Sequence, residues 1–112
     1  MMIEKVILNY LNENLNVPVF MERPEKDVGE FVVVEKTGSG RTNHIDRATI
    51  ALQSFGNTLQ RAAEINEDVK AIMDTLITLP GVSRSQLNSD YNYTDTQKKR
   101  YRYQAVYDIT HY

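Results

Sequence analysis

The sequence predicts an α+β domain in which a mostly antiparallel β-sheet carries two α-helices on one face, in the order α-β-β-β-α-β-β. Two segments repeat apolar residues at helical spacing, and five others cluster β-branched and aromatic residues or alternate them with polar ones. The alternation is one-sided, which leaves the second face of the sheet polar, as antiparallel sheets allow. A chain of 112 residues fits one domain with one core, spanning 1–112. Its 41% hydrophobic and 25% charged residues lie far from the composition of disorder.

Ile3, Val6, Ile7, Tyr10, Leu11 and Leu15 form one helical stripe opposite Glu4, Lys5, Asn9, Asn12 and Glu13, so a first helix is expected from about Met2 to Leu15. Val17-Pro18-Val19-Phe20-Met21 reads as a short strand, and Pro18, with no N–H to donate, suits an edge or a strand start. After a charged loop at 22–29, Glu30 to Lys36 has the β-branched density of a central strand. Thr37 to His44 is rich in glycine and small polar residues and is expected to form a long, mobile hairpin tip.

Arg47 to Phe55 alternate, with Ala48, Ile50 and Leu52 on one face. Gly56 ends that strand, and Asn57 followed by Gln60 reads as a helix N-cap with its capping-box partner. Leu59, Ala62, Ile65, Val69, Ile72, Met73 and Leu76 then recur at helical spacing until Leu79-Pro80-Gly81 stops the second helix. A last hairpin runs from Val82 to Tyr93, with Leu87, Tyr91 and Tyr93 on one face, turns over Thr94 to Arg100, and returns from Tyr101 to Ile109, with Tyr101, Tyr103 and Tyr107 on one face.

No apolar run approaches the roughly 20 residues of a bilayer span, and Glu4, Lys5 and Glu13 interrupt the first segment where a signal peptide needs an uncharged middle. With no cysteine, a thiolate nucleophile, a disulfide framework and cysteine-ligated zinc are excluded. A net charge of -2 argues against a dedicated nucleic-acid binder. The charge is uneven. Residues 1–35 carry seven acids (Glu4, Glu13, Glu22, Glu25, Asp27, Glu30, Glu35) against three bases (Lys5, Arg23, Lys26), or -4. Arg84 to Arg102 carries five bases (Arg84, Lys98, Lys99, Arg100, Arg102) against Asp90 and Asp95, or +3.

Gly38-Ser39-Gly40-Arg41-Thr42 lacks the Lys-Ser/Thr of a phosphate loop and precedes a strand rather than a helix, so it reads as a hairpin tip whose use is to order against a partner. His44 and Asp46 are too few for a metal site, and Asp108 and His111 are expected on opposite faces of one strand, which excludes an acid-base pair. Glu64, Glu67, Asp68 and Asp74 read as the solvated face of the second helix. No set of nucleophile, base and orienting group emerges, and no metal or cofactor is expected. In the last hairpin Tyr91, Tyr93, Tyr101, Tyr103, Tyr107 and Tyr112 interleave with Lys98, Lys99, Arg100 and Arg102. That pattern fits cross-strand packing, a protein interface or a single-strand nucleic-acid surface.

The ordering of elements, with Ala48-Thr49-Ile50-Ala51-Leu52-Gln53-Ser54-Phe55-Gly56 leading into a long helix, then Leu79-Pro80-Gly81-Val82 and a tyrosine-rich final strand, resembles the tail terminator, or tail-to-head joining, proteins of long-tailed bacteriophages. The likeness spans nearly the whole chain and lies in the pattern of elements rather than in any diagnostic residue. It implies a non-enzymatic subunit forming a ring, commonly of six copies, that caps the tail tube and docks to the head connector. The implied partners are other copies of the chain, the tail tube protein and the connector, with no membrane and no nucleic acid except DNA passing through the ring. The implied location is the virion tail or neck, and the host cytoplasm during assembly. Another neck or head-completion protein is the nearest alternative, and a single-stranded nucleic-acid-binding domain the next. On this reading the expected interface residues are Gly38, Ser39, Gly40, Arg41 and His44 in the tip, and Lys98, Lys99, Arg100, Tyr101, Arg102 and Tyr103 in the last hairpin, with the acidic N-terminal region meeting the basic 84–102 region of a neighbour.

Overall fold

In the computed structural model, which describes residues 1–26 and 28–112, the elements follow the expected order. They are α1 (Ile3–Asn14), β1 (Val19–Phe20), β2 (Phe31–Thr42), β3 (Ile45–Gly56), α2 (Leu59–Met73), a 3-10 turn (Leu76–Thr78), β4 (Val82–Asn92) and β5 (Tyr101–His111). The strands form one sheet in the order β1-β2-β3-β5-β4. β1 runs parallel to β2, and every other pairing is antiparallel.

Both helices pack on one face. Ile3, Ile7 and Leu11 of α1 and Ile65, Val69 and Met73 of α2 share a core with Val32, Val34, Ala48, Ile50, Leu52, Ala105, Tyr107 and Ile109 of the sheet. Fully burying each Ile, Leu or Val of this set stabilises the fold by about 1.5–3 kcal/mol, so α1 and α2 are held by tertiary burial more than by propensity. Tyr107 is wholly buried, and its hydroxyl donates to the Lys70 carbonyl and Asp74 Oδ1, both at 3.3 Å. Burial, with Asp74 beside it, pushes the Tyr107 phenol well above its ordinary value.

Several local expectations are corrected by pairing. Thr37 to His44 is not a mobile tip. β2 and β3 stay in register out to Thr42↔Ile45, with one register shift between Lys36 and Gly38, and they close on Asn43 and His44 at φ 52° and 66°. Two consecutive positive φ values define the tight turn that suits the twist of a hairpin, and Asn tolerates them well. The N-cap is Thr58, whose Oγ1 accepts from the Arg61 N–H at 3.1 Å. Asn57 sits one residue outside the cap, where its N–H donates to Glu30 Oε2 at 3.2 Å. In β4 a register shift between Leu87 and Ser89 reverses the alternation, so Leu87 stays level with buried Tyr107 whereas Tyr91 and Tyr93 turn to the helix-free face. Asn12 is exposed, as its place on the polar side of α1 predicts, and its amide also reaches β1: it donates to the Val19 carbonyl and accepts from the Val19 N–H, standing in for a neighbouring strand.

The step from β3 to α2 rests on Gly56. A Cβ built there would lie 2.4 Å from the Ala62 nitrogen and 2.9 Å from the Arg61 carbonyl carbon, backbone atoms that cannot move aside alone. Gly56→Ala is therefore expected to destabilise the protein by about 1–3 kcal/mol, the usual cost of forced overpacking. Urea unfolding measures this, and an unchanged midpoint would contradict the close approach.

Candidate interaction surface

The face of the sheet without helices carries its own small aromatic core. Because side chains alternate along a strand, Phe31 and Val33 of β2 and Phe55 of β3 point away from α1 and α2. Phe31 and Phe55 stack at 4.5 Å between centroids, and Phe20 meets Phe31 edge-on at 6.1 Å. No helix covers these rings, yet Phe55 is only 3% exposed. The cover is provided by arginines. The guanidinium carbons of Arg23, Arg100 and Arg102 sit 5.2, 5.7 and 5.4 Å from the Phe55 centroid. The guanidinium groups thus cover the ring themselves while keeping their charge.

The arginines arrive from three parts of the chain. Arg102 is paired with Phe55 across β3 and β5, and it also lies 4.3 Å over the Tyr93 ring, with its Nε donating to the Tyr93 carbonyl. Arg100 ends the turn between β4 and β5, where it forms a backbone bridge with Asp95. That turn is built: Asp95 Oδ1 accepts from the N–H groups of Gln97 and Lys98, and Lys99 takes φ 50°. Arg23 comes from the segment after β1. Together with Phe55, Asp95 and Lys98, these arginines line a cavity of about 40 Å³. Beside it, Lys98, Lys99, Arg100 and Tyr101 line a second hollow of about 270 Å³ over Phe55, Gly56 and Asn57.

The surface continues along the sheet. Tyr91 and Tyr93, 42% and 47% exposed, meet edge to face at 5.9 Å. The Tyr91 hydroxyl accepts from Gln104 Nε2 at 2.6 Å, and Gln104 Oε1 accepts from Gln53 Nε2 at 3.0 Å. This chain of amides lies across β4, β5 and β3 and fixes the tyrosines in place.

The structure thus brings Lys98, Lys99, Arg100, Tyr101 and Arg102 to one end of the sheet, but not with the rest of the expected set. Tyr103 pairs with Ser54 on the helix-bearing side and contributes nothing to the arginine cluster. Gly38, Ser39, Gly40, Arg41 and His44 lie at the opposite end: Gly38 is level with Thr49, six residues before Phe55, or roughly 20 Å at ~3.4 Å per residue. There Arg41 Nε donates to Asp46 Oδ1 at 2.6 Å, which holds the Asp46 carboxyl below its usual range, while the Arg41 side chain stays largely exposed. Sequence reasoning missed Arg23 and Phe55. Neither has a local signal, since each matters only through partners supplied by the fold.

Among the described residues no three His, Asp or Glu side chains group as metal ligands, and no helix is long and apolar enough to cross a membrane. Asp108 lies on the helix-free face, accepting from Asn88 Nδ2 at 3.0 Å, whereas His111 is buried on the other side. No protein-family model matches the chain, and no curated protein matches its sequence.

One ion pair anchors the arginine end of the sheet to α2. Arg61 grips Glu30 through Nε and Nη2 at 3.1–3.2 Å, and the carboxylate also accepts the Asn57 N–H. The Arg61 guanidinium first, and then that N–H, hold the Glu30 carboxyl below its ordinary value of 4.5. A carboxyl whose pKa is lower when folded contributes stability that is present above 4.5 and is lost as pH falls through the depressed value. Glu30→Gln is expected to lower stability at neutral pH and to flatten its decline on acidification. Unfolding midpoints from pH 7 down to about 3 measure this, and an acid limb as steep as in the wild type would contradict it.

Proposed function

We propose that this chain is a structural virion-assembly subunit, which caps a phage tail tube as a ring and joins the tail to the head connector. The observation that carries this reading is the element order α-β-β-β-α-β-β, the order of the tail terminator proteins the sequence resembles, folded with both helices on one face and an arginine-aromatic surface on the other. Exposed tyrosine and arginine on a rigid sheet are residues that interfaces favour. The two regions marked by the sequence also lie at opposite ends of the sheet, as a subunit that touches neighbours in more than one direction requires. The reading assigns the protein no active site. It places the protein in the tail or neck of the virion, and in the host cytoplasm during assembly.

The paired form of the β2–β3 hairpin changes what its outer part does. A stiff arm presents Arg41, His44 and the turn without first being ordered, so binding loses less conformational entropy than a mobile loop would. A single-stranded nucleic-acid surface is the second reading, favoured by Tyr91 and Tyr93 beside Arg102; it predicts oligonucleotide binding that falls steeply with salt.

The test is light scattering of the purified protein over a concentration series, alone and with the matching tail-tube protein. A ring, free or on the tube, is expected, and a monomer that ignores the tube would overturn the reading. Replacing Gly40 to Arg47 by a two-residue Asn-Gly turn that closes the ladder on the Ser39↔Ala48 pair should leave the fold intact, since Ala48 keeps its place in the core. The same replacement should abolish tail joining, so recovery of infectious particles would remove the arm from this role.

A further inference from the structure

The helix-free face carries a cluster of cations without ion pairs among the described residues, and the helical layer carries an excess of acids over the cations that reach them. Arg23, Arg100 and Arg102 converge on one ring, and none of them forms an ion pair among the described residues. Arg102 uses one N–H on the Tyr93 carbonyl, and neither Arg23 nor Arg100 has a side-chain hydrogen bond among those residues. Asp95 is the one acid in the cluster's cavity, and its Oδ1 is already taken by two backbone N–H groups. Like charges this close repel one another unless an anion joins them.

On the other side of the sheet, the outer face of α2 exposes Glu64, Glu67 and Asp68. Its two cations do not serve this face alone: Arg61 is clamped on Glu30, and Lys70 lies 2.9 Å from Asp90 of β4. Arg61 and Lys70 also reach Glu64 and Glu67 at 3.4 and 2.8 Å, but each is shared with an inward acid, and Asp68 pairs with nothing described. The N-terminal acids are less available than the sequence implies, since Glu4 pairs with Lys36 and Glu30 with Arg61 inside the subunit.

We infer that the arginine cluster on Phe55 docks the acidic outer face of α2 (Glu64, Glu67 and Asp68) of a second copy of this chain. This inference rests on the ring reading and names its lateral contact. The two patches lie on opposite sides of the sheet, so a two-fold dimer cannot bring both into contact, whereas a head-to-tail arrangement uses each patch once per subunit. Guanidiniums suit this role better than ammoniums because their planar forks bind carboxylates bidentately while their faces stay on the aromatic ring. A polyanion such as nucleic acid would meet the cluster but also the acidic layer and a net charge of -2, whereas a second copy answers both patches at once.

The experiment uses two charge-swapped proteins, one with Arg100→Glu and Arg102→Glu, the other with Glu64→Lys, Glu67→Lys and Asp68→Lys. Each is checked for folding by circular dichroism and then sized by light scattering at low ionic strength, with and without the tail-tube protein. Each variant alone should fail to form the assembly that the wild type forms. An equimolar mixture should recover it, because the new acids of one face the new lysines of the other in alternation. If either multiple variant does not fold, Lys98→Glu and Asp68→Lys, both at exposed positions outside the two cores, take their places in the same mixing test.

Assembly by the separate variants at the wild-type level, or no recovery on mixing, overturns this contact while leaving a ring built through other surfaces standing. A wild type that stays monomeric with and without the tube overturns the contact and the ring reading together. Binding of a single-stranded oligonucleotide that the arginine swap abolishes, with no salt-sensitive self-association, assigns the cluster to nucleic acid and also overturns the contact.

Discussion

The alternation of β3 is the constraint on which the rest depends. It is a central strand, paired along its length with β2 on one side and β5 on the other. Ala48, Ile50 and Leu52 point into the core under the helices, and Phe55 points the other way into the second cluster. With a side-chain period of two, a slip of one residue would exchange these sets, exposing Ile50 and Leu52 and placing Thr49 and Gln53 beneath α2. Register, both cores and the site of the arginine cluster are thus set together. Gly56 then lets the chain leave β3 and enter α2 at backbone contact with Ala62, which keeps the helix directly over the strand that feeds it.

What was legible in the sequence is what depends on one segment at a time. The stripes of α1 and α2 and the alternation of β3 follow from periodicity, and with them the fold class and the single helix-bearing face. The misses are all decided by a second segment. Gly38 and Gly40 argue locally for a mobile tip, but a strand of matched length lies opposite, and ladder hydrogen bonds outweigh the low β-propensity of glycine. Asn57 is locally as good a cap as Thr58, yet it sits one residue outside the cap, where Glu30, just before β2, accepts its N–H. The phase of Tyr91 and Tyr93 is reversed by a bulge that leaves no mark in composition.

The candidate site divides along the same line. The basic run Lys98, Lys99, Arg100 and the position of Arg102 were visible, because turn residues and charge runs are local features. Its centre was not, since Phe55 reads as the end of an ordinary strand and Arg23 as one charge in a loop. Only the sheet order, which seats β3 between β2 and β5 and leaves their second face without a helix, creates an aromatic patch that needs a cover. Arginine meets that need because its flat guanidinium can lie on an aromatic face and still carry its charge. The cation cluster is therefore a consequence of how the second core is closed.

This double role bears on how the cluster can be used. A side chain that closes a core is held in place, so the charges over Phe55 are presented with little rotamer entropy left to lose on binding. Lys98 and Lys99, at exposed positions in the turn, lack that restraint and act more through the local field than through fixed hydrogen bonds. Geometry at such a surface comes from the three arginines, and long-range attraction from the whole basic end. A partner that matches the arginine geometry gains more than one that only carries negative charge. An acidic stripe on a rigid helix offers carboxylates at fixed spacing, while a flexible polyanion must first be ordered to do the same.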